Sequence, residues 1–443
     1  MTDTRTEQDF LGQRALPKDA LYGINTQRAM ENFALGQKHT DLSLIHAMVQ
    51  VKKASARTYL DLGMGNPHVF SLIVSACDDI LTGAFDDAFV TEALQGGAGT
   101  SAHMNVNEVI ANVALKKAGH APGDYEFLHP LDDVNLGQST NDVYPTALRI
   151  CTIQQVRQVS DACAALQEAL QEKEQAWADI KKAGRTQLMN AVPITLGEEF
   201  GAYAQAIARD RWRLYKIEER LRQINLGGTA VGTGTNASRR YAWKAVEFLR
   251  EQTGIGLAKA EYPMDLTQNQ DVFCEVSGLL KALAVNLMKI CSDLRLMNSE
   301  AYREIRLSPM QQGSTIMPSK INPVIPEMAT QTAMKVIAND CAVTMAASSG
   351  NFELNPFLPL IADCLLDSLK LLSKAIPLFT SKAIRPLLAD EKGCANGLRF
   401  TKALPTALAR SFGYDQAARI ARECDFDEAR MQRYLCGHSP SGR

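Results

Sequence analysis

Four polar, glycine-rich stretches hold most of the side chains in this sequence that could do chemistry on a small molecule. They cover residues 96–109, 129–142, 184–193 and 312–327. Each combines glycines, which let the backbone approach a ligand closely, with hydroxyl or amide side chains that form hydrogen bonds. The candidates that they offer are Thr100, Ser101, Ser139, Thr140, Asn141, Thr186, Gln187, Ser314, Thr315, Lys320 and Asn322. Neutral donors with one lysine suit a small molecule that carries carboxylates.

The first three stretches also have an ordinary structural interpretation, because Ser, Thr, Asn and Gly are the residues that helix caps and turns require. Taken alone, the STND segment at 139–142 predicts a helix N-cap, and the GRTQ segment at 184–187 predicts a loop. The segment 97–102 formally fits the GxGxxA variant of a dinucleotide-binding fingerprint. No convincing strand precedes it, so a nucleotide site is not expected.

The fourth stretch is harder to explain as a cap or a turn. A conformationally free Gly-Ser-Thr segment places Ser314 six residues before Lys320, and Ile-Asn-Pro follows this lysine. Such a segment can act as a mobile lid that carries a serine to the substrate and a cation to its carboxylate.

The elements between these stretches are predicted to be long helices, whereas strand signals are few. In 279–297, for example, the apolar residues Leu280, Leu283 and Leu287 recur at helical intervals. The other predicted helices are 44–62, 151–175, 193–224 with Pro193 near its start, 324–347 and 357–379. This pattern predicts an all-α fold around a helical bundle. We expect an N-terminal mostly helical domain of residues 1–140, a central long-helix bundle of 141–383 and a small C-terminal helical domain of 384–443.

Composition narrows the class of protein. The 47 basic and 49 acidic side chains nearly cancel, which gives no general attraction to nucleic acid or to an anionic membrane. A hydrophobic fraction of 46% excludes a disordered chain. No apolar run approaches the roughly 20 residues that a membrane span needs. The N-terminal segment does not resemble a signal peptide. The ten cysteines do not show the paired spacing of a zinc site. We expect a cytoplasmic protein that binds no nucleic acid, membrane or metal.

The segment GSTIMPSKINP at 313–323 closely resembles the GSSxMPxKxN pattern of the aspartase/fumarase superfamily. Six further blocks are similar to blocks of that superfamily and follow the same order, so that the resemblance extends over roughly residues 5–380. These blocks are 10–33, 96–112, 134–142, 184–197, 226–236 and 336–355. Agreement across so many separate blocks is not a chance event.

The resemblance implies three mostly helical domains and a homotetramer in which each active site draws on three subunits. The reaction that it implies is the reversible elimination of an amine or of water from a small succinyl compound, usually with release of fumarate and without a cofactor. By carry-over, Ser314 would be the general base. The reacting carboxylate would be held by Thr100, Ser139, Thr140 and the backbone around Thr315, and the other carboxylate by Lys320 and Asn322. The leaving amine would be faced by Asn141, Thr186 and Gln187, and Ser101 would be a further substrate-binding residue.

Two further residues have alternative roles. Glu327 either supports the loop or begins the next helix. His103, which stands where asparagine is common in the superfamily, either contacts the ligand, supports a ligand-binding residue or caps a helix. Thr315 replaces the usual second serine, and the C-terminal region is short and divergent, so the amine side of the substrate is less constrained than the carboxylate side.

The identity of the leaving group depends chiefly on Gln187. Fumarate hydratases typically carry a histidine there, and a glutamine cannot relay a proton. Residues 21–33 and 322–327 also resemble the ammonia-lyase branch, although 129–135 and 350–355 are closer to the hydratases. The sequence therefore favours elimination of ammonia from L-aspartate. The alternatives are a fumarate hydratase, a lyase for an N-substituted aspartate, and a catalytically silent scaffold on the same fold.

Overall fold

The computed structural model describes residues 3–437, and this part of the chain is mainly helical, as predicted. None of its helices combines the length and the apolar character that a membrane span needs. The helices are α1 (Ile24–Asn32), α2 (Leu42–Leu62), α3 (Pro67–Leu81), α4 (Thr100–Lys117), α5 (Thr140–Ala176), α6 (Leu196–Leu221), α7 (Arg239–Thr253), α8 (Pro263–Gln268), α9 (Asp271–Met297), α10 (Val324–Ala347), α11 (Leu358–Phe379), α12 (Glu391–Leu398), α13 (Ala403–Phe412), α14 (Tyr414–Glu423) and α15 (Glu428–Gly437).

The long helices follow the apolar periodicity of the sequence. In α9 the side chains of Leu280, Leu283 and Leu287 are all buried, as their spacing predicts. Both α10 and α11 begin and end within one residue of their predicted bounds. Burial of a continuous apolar stripe is what holds helices of this length in place, because intrinsic propensity alone is weak.

Within residues 3–437, eight short strands form four two-stranded ribbons. The strands are β1 (Thr4–Asp9), β2 (Gly12–Pro17), β3 (Lys181–Thr186), β4 (Met189–Thr195), β5 (Gln223–Ile224), β6 (Ala258–Lys259), β7 (Ile305–Arg306) and β8 (Leu388–Ala389). Three pairs, β1 with β2, β3 with β4 and β7 with β8, are antiparallel, whereas β5 and β6 are parallel. The longest ribbons are hairpins, which close over a short turn.

The prediction that a helix begins near Pro193 is wrong. Pro193 lies in β4 opposite Ala183, at the edge of a two-stranded ribbon, where a residue without an N–H group is tolerated. The helix begins only at Leu196. Its start is a capping box, in which the Glu198 backbone N–H donates to Thr195 Oγ1 and the Thr195 backbone N–H donates to Glu198 Oε2.

The chain divides into two compact units. The first unit comprises the chain up to Gln158 together with Leu214–Lys281 and Val336–Lys370. The second unit comprises Val159–Arg213, Ala282–Lys335 and the chain from Leu371 onward. The divisions fall inside the long helices α5, α6, α9, α10 and α11. The division into three domains at residues 140 and 383 stays a prediction.

Each unit has its own apolar core. In the first unit α2 packs against α3, α4 and α7, and both faces of α2 are largely buried. In the second unit α13, α14 and α15 enclose a small separate cluster that includes Leu408, Ile420 and Met431. The core of the first unit positions the beginnings of α4 and α5, which carry one group of candidate residues.

Candidate functional site

The first group of candidate residues lies in the first unit, at the N-termini of α4 and α5. Helix α4 begins at Thr100, directly after Gly99, whose φ is 94°. A Cβ at Gly99 would lie 2.4 Å from the Tyr144 ring, so only glycine fits there. The backbone N–H groups of Thr100 and Ala102 already donate within the chain, to the Gly97 oxygen and to Gln95 Oε1, so it is the positive end of each helix dipole that favours an anion here. Thr100 and Ser101 on α4, and Thr140 on α5, are thus positioned where a carboxylate would be stabilised.

The start of α5 is an N-cap, as the STND segment predicts. The Asn141 backbone N–H donates to Ser139 Oγ over 3.2 Å, and the Ser139 backbone N–H donates to Asp142 Oδ1 over 3.0 Å. The Ser139 hydroxyl keeps its own proton for another acceptor. Asn141 Nδ2 donates to the backbone oxygen of Ala230 over 2.7 Å, which leaves its Oδ1 as the acceptor.

Asp142 ties the start of α5 to the glycine-rich segment 226–236. Its Oδ2 accepts hydrogen bonds from the backbone N–H groups of Gly227 and Thr229, each over 3.0 Å. Burial raises the pKa of Asp142 to about 6, against the opposing effect of these hydrogen bonds. Sequence reasoning did not single out Asp142, although it belongs to the quoted STND segment. It fixes the backbone on which Ser139 and Thr140 are held.

Two buried polar side chains lie in the same unit. His103 Nδ1 is 2.8 Å from Thr140 Oγ1, so this histidine contacts a candidate ligand-binding residue, and its role in the site stays a prediction. Burial lowers the pKa of His103 well below its ordinary value, and the charge of Lys52 lowers it further. Lys52 itself donates to Asn135 Oδ1 over 2.7 Å, and burial lowers its pKa to about 7. The burial of Lys52 could have been inferred from the sequence, because this lysine follows Met48 by four residues and so lies on the apolar face of α2.

The second group of candidates lies in the second unit and begins with the loop between β7 and α10. Ser314 Oγ accepts hydrogen bonds from the backbone N–H groups of Ile316 and Met317, over 3.2 and 2.9 Å. Two such donors stabilise negative charge on the serine oxygen. Thr315 and Lys320 are exposed on the same loop.

The base of this loop is closed by hydrogen bonds around Gly313. The Gly313 backbone N–H donates to the backbone oxygen of Lys320 over 2.8 Å, and Asn322 Nδ2 donates to the backbone oxygen of Gly313 over 2.7 Å. A Cβ at Gly313 would lie 2.5 Å from that Lys320 oxygen. The loop therefore needs glycine there, and Asn322 holds the loop closed at its base.

Glu327 lies in the first turn of α10, where its negative charge is favourable to the helix dipole. One of its carboxylate oxygens is 3.9 Å from Arg295 Nη2 on α9. This position is compatible with a role at the start of α10, and both expected roles of Glu327 stay predictions.

Thr186 and Gln187 lie at the tip of the β3–β4 hairpin. Gln187 and Leu188 both have positive φ, 51° and 62°, and a two-residue hairpin turn needs this conformation at both positions. Gln187 lines a cavity of about 310 Å³ within the second unit. The GRTQ segment is thus a strand end and a tight turn, which presents two polar side chains to solvent.

A buried ionic cluster anchors this hairpin. Glu304, which is fully buried, accepts a hydrogen bond from Arg185 Nη2 over 2.7 Å and forms an ion pair with Lys182 over 2.8 Å. Lys182 also pairs with Glu199. Sequence reasoning missed this cluster, because nothing local signals a bond between residues 119 positions apart.

The candidates divide between the two units of the chain. The group in the first unit is Thr100, Ser101, His103, Ser139, Thr140 and Asn141, and the group in the second unit is Thr186, Gln187, Ser314, Thr315, Lys320, Asn322 and Glu327. Among residues 3–437, no cluster of three or more His, Cys, Asp or Glu side chains could hold a metal ion. Apart from the His103 imidazole and the Glu327 carboxylate, these residues offer hydroxyls, amides, backbone N–H groups and one exposed lysine.

Comparison with known proteins identifies the family. A family model described as Lyase matches residues 12–338. Aspartate ammonia-lyase of Helicobacter pylori is 42% identical over 424 residues, which are 95% of this chain and 91% of that protein.

Solved structures agree with this match. The structure of fumarate lyase:delta crystallin from Brucella melitensis has a TM-score of 0.91 at 44% identity, covering 95% of this chain and 93% of that chain. Class II fumarase from Schistosoma mansoni has a TM-score of 0.92 at 28% identity, covering 96% and 93%. The resemblance stated from the sequence is thereby confirmed, and the chain belongs to the lyase family of the aspartase/fumarase superfamily.

Proposed function

We propose that this chain is a carbon–nitrogen lyase that eliminates ammonia from L-aspartate and releases fumarate. The observation that carries the proposal is the likeness to aspartate ammonia-lyase over nearly the whole chain. The geometry of the two groups of side chains supports it, because such a reaction needs donors for a dianion and a base for a carbon-bound proton.

The difficult step is removal of a proton from the carbon next to a carboxylate, since the intermediate carries a second negative charge on that carboxylate. Preorganised donors at the position where charge develops supply most of the stabilisation. In the proposed site Ser139 and Thr140 donate hydroxyl protons at the N-terminus of α5. Thr100 joins them from the N-terminus of α4 when its hydroxyl, which donates to the backbone oxygen of Gly97 over 2.7 Å, turns to the substrate. Ser101, in the first turn of α4, belongs to the same set.

Ser314 is the proposed general base. A serine hydroxyl is a poor base unless its oxyanion is stabilised, and the N–H groups of Ile316 and Met317 point at its oxygen. The Ser314 hydroxyl first loses its proton to solvent, and the ionised oxygen then takes the proton from C3 of the substrate. The electron pair of the C3–H bond forms the double bond by way of the enediolate. The C2–N bond then breaks, and its electron pair leaves with the nitrogen as ammonia.

The remaining candidates have proposed positioning roles. Lys320 and Thr315 are exposed on the loop, where closure would bring the lysine to the second carboxylate, with Asn322 at the base of the loop. On the amine side, Asn141 offers a free amide oxygen, together with Thr186 and Gln187. Gln187 cannot titrate, and an amine leaving as neutral ammonia needs less proton transfer than a hydroxide does.

The proposed partner is the small dicarboxylate substrate, and the proposed assembly is a homotetramer in which each site draws on three subunits. We propose the cytoplasm as the place of action. The likeness to the aspartase/fumarase superfamily supports this assembly.

The experiment is a substrate panel followed by the ultraviolet absorbance of fumarate. We expect absorbance to rise when the purified protein meets L-aspartate. A rise with L-malate alone would make the protein a hydratase, and a rise only with N-substituted aspartates would change the amine. No reaction with any of them, and none of fumarate with ammonia, would contradict an enzymatic function and favour a silent scaffold.

A further inference from the structure

His103 has one hydrogen-bond partner and one unsatisfied nitrogen. The residue is 1% exposed on α4, and its Nδ1 lies 2.8 Å from Thr140 Oγ1. Its Nε2 is buried and has no hydrogen-bond partner among residues 3–437. Thr140 begins α5 and is a candidate donor to the substrate carboxylate, so the direction of the His103–Thr140 hydrogen bond decides whether the Thr140 proton is available.

Two neutral tautomers would satisfy the 2.8 Å contact. If Nε2 carries the proton, Thr140 donates to Nδ1, and the buried Nε2–H is left without an acceptor. If Nδ1 carries the proton, it donates to Thr140 Oγ1, and only a lone pair is left unsatisfied at Nε2. Orphaned buried N–H groups are rare in proteins and cost more than an unused lone pair. The geometry therefore favours the Nδ1–H tautomer.

The surroundings keep His103 neutral. A protonated imidazole would carry N–H groups on both nitrogens and would again orphan one of them. Burial and the nearby charge of Lys52 both oppose protonation. With a neutral His103 that donates through Nδ1, the Thr140 oxygen is already an acceptor, and its own proton is free to point away from the histidine.

We propose that His103 is a positioning residue, which donates through Nδ1–H to Thr140 Oγ1 and so commits the Thr140 hydroxyl proton to the substrate carboxylate. This inference rests on the proposed function. It also explains how a histidine can occupy this position without acting in acid–base chemistry. An asparagine side chain carries a hydrogen-bonding group at the same δ position, so its amide could donate to Thr140 in the same way.

The test is a double-mutant cycle on kcat/KM for L-aspartate. His103→Asn keeps a donor at the δ position, and we expect it to retain activity within about threefold of the wild type. His103→Leu removes the donor, and we expect a loss of about tenfold. In the Thr140→Val background, where no hydroxyl is left to orient, His103→Leu should cost no more than about twofold further.

Additive losses in the cycle would overturn the inference, and so would an Asn variant as impaired as the Leu variant. Should His103→Leu fail to fold, His103→Gln replaces it. Its amide is one methylene further out and cannot donate from the δ position, so it should lose activity where Asn retains it; equal activity of the two would overturn the inference.

The two proposals fail in distinguishable ways. Turnover of L-aspartate by the wild type tests the proposed function before any variant is made. With an active wild type, an additive cycle overturns only the role of His103. If the wild type does not turn over L-aspartate, the same cycle is measured on the Kd of succinate, an unreactive dicarboxylate, by calorimetry. Non-additivity there supports the role of His103, and additivity overturns it.

Discussion

Ser314 can be replaced without disturbing a core, because it lies on a loop. Within the described part of the chain, its hydroxyl makes hydrogen bonds only with backbone N–H groups of that loop. We expect Ser314→Ala to reduce kcat by a factor on the order of 10²–10⁴, the usual contribution of a general base. The measurement is kcat for L-aspartate, together with the melting temperature, which should not change.

A matched control is Ser308→Ala, at the beginning of the same loop region. Ser308 Oγ makes a 3.5 Å contact with the backbone oxygen of Pro386 and has no proposed part in the reaction. It should retain wild-type activity. Turnover by Ser314→Ala at the level of Ser308→Ala would show that another group takes the proton.

Lys52 makes the stability of the fold depend on pH. Burial lowers its pKa from 10.5 to about 7. Between these two values the unfolded chain holds a proton on this amine that the folded chain lacks, so the free energy of unfolding rises with pH across this window. The contribution is at most about 1.4 kcal/mol per pH unit. Wild type should therefore gain stability relative to Lys52→Met between pH 7 and pH 9, measured by denaturant unfolding.

The control for Lys52→Met is Lys116→Met, on the exposed face of α4. A surface substitution of this kind is expected to change stability by less than about 0.5 kcal/mol at either pH. If the difference between wild type and Lys52→Met stayed constant from pH 7 to pH 9, Lys52 would be charged in the folded protein as well.

At the scale of elements, the loop that carries Ser314 depends on the close approach of its two ends, with Gly313 at one end and Lys320 and Asn322 at the other. In Gly313→Ala the new Cβ would lie 2.5 Å from the Lys320 backbone oxygen and 2.9 Å from the Asn322 backbone nitrogen, so the two ends of the loop must separate. Misplacement by about 1 Å can cost about a hundredfold in rate. We expect a loss of that size in kcat/KM with an unchanged melting temperature.

Gly256→Ala is the matched glycine control. Gly256 is exposed in the first unit, and a Cβ there would make only an ordinary contact at 3.7 Å with Arg222. Its activity should equal that of the wild type. Full activity of Gly313→Ala would mean that the loop accommodates the methyl group and that its closed base does not position Ser314.

The β3–β4 hairpin depends on the charge of Glu304. Glu304→Gln keeps the shape of the side chain but leaves the buried ends of Lys182 and Arg185 short of a negative partner. Breaking a buried ion pair from one side typically costs about 3–5 kcal/mol. We expect the free energy of unfolding, measured by denaturant titration, to fall by about this amount in Glu304→Gln. The control Glu300→Gln, at an exposed position nearby, should leave it unchanged.

Sequence patterns predicted the helices better than the hairpin, for a physical reason. The Leu280, Leu283 and Leu287 spacing encodes which face of α9 is buried, and this information is local. The hairpin is stabilised instead by the pairing of Arg185 with Glu304, and neither residue signals the other. Pro193 was misleading because proline is compatible both with a first helical turn and with a strand edge.

At the scale of the whole molecule, the sequence located the candidate site as separate stretches and could not bring them together. Thr140 and Ser314 were both singled out from their own segments, and their roles still await a test. Lys52 was passed over because its importance comes from tertiary burial next to His103. What a segment contains can be predicted from the sequence, whereas what surrounds it is set by packing.

The proposed sharing of each site between protomers predicts complementation. Thr140 lies in the first unit and Ser314 in the second. If one protomer supplies Thr140 and another supplies Ser314, then Thr140→Val and Ser314→Ala damage the same site from different chains. Each variant alone should be nearly inactive. In hybrids assembled by refolding an equal mixture, a site is intact when both of its contributing chains carry the native residue, which happens for about a quarter of the sites.

We therefore expect the mixture to recover about a quarter of the wild-type kcat, with KM unchanged, because the intact sites are native. The control is a mixture of Ser314→Ala with Lys320→Ala, whose positions lie on one loop and come from the same chain, so that this pair should not complement. Mixing the folded variants without refolding controls for exchange of subunits. Recovery by neither pair would place Thr140 and Ser314 of each site in one protomer, and the oligomer would then have no part in building the site.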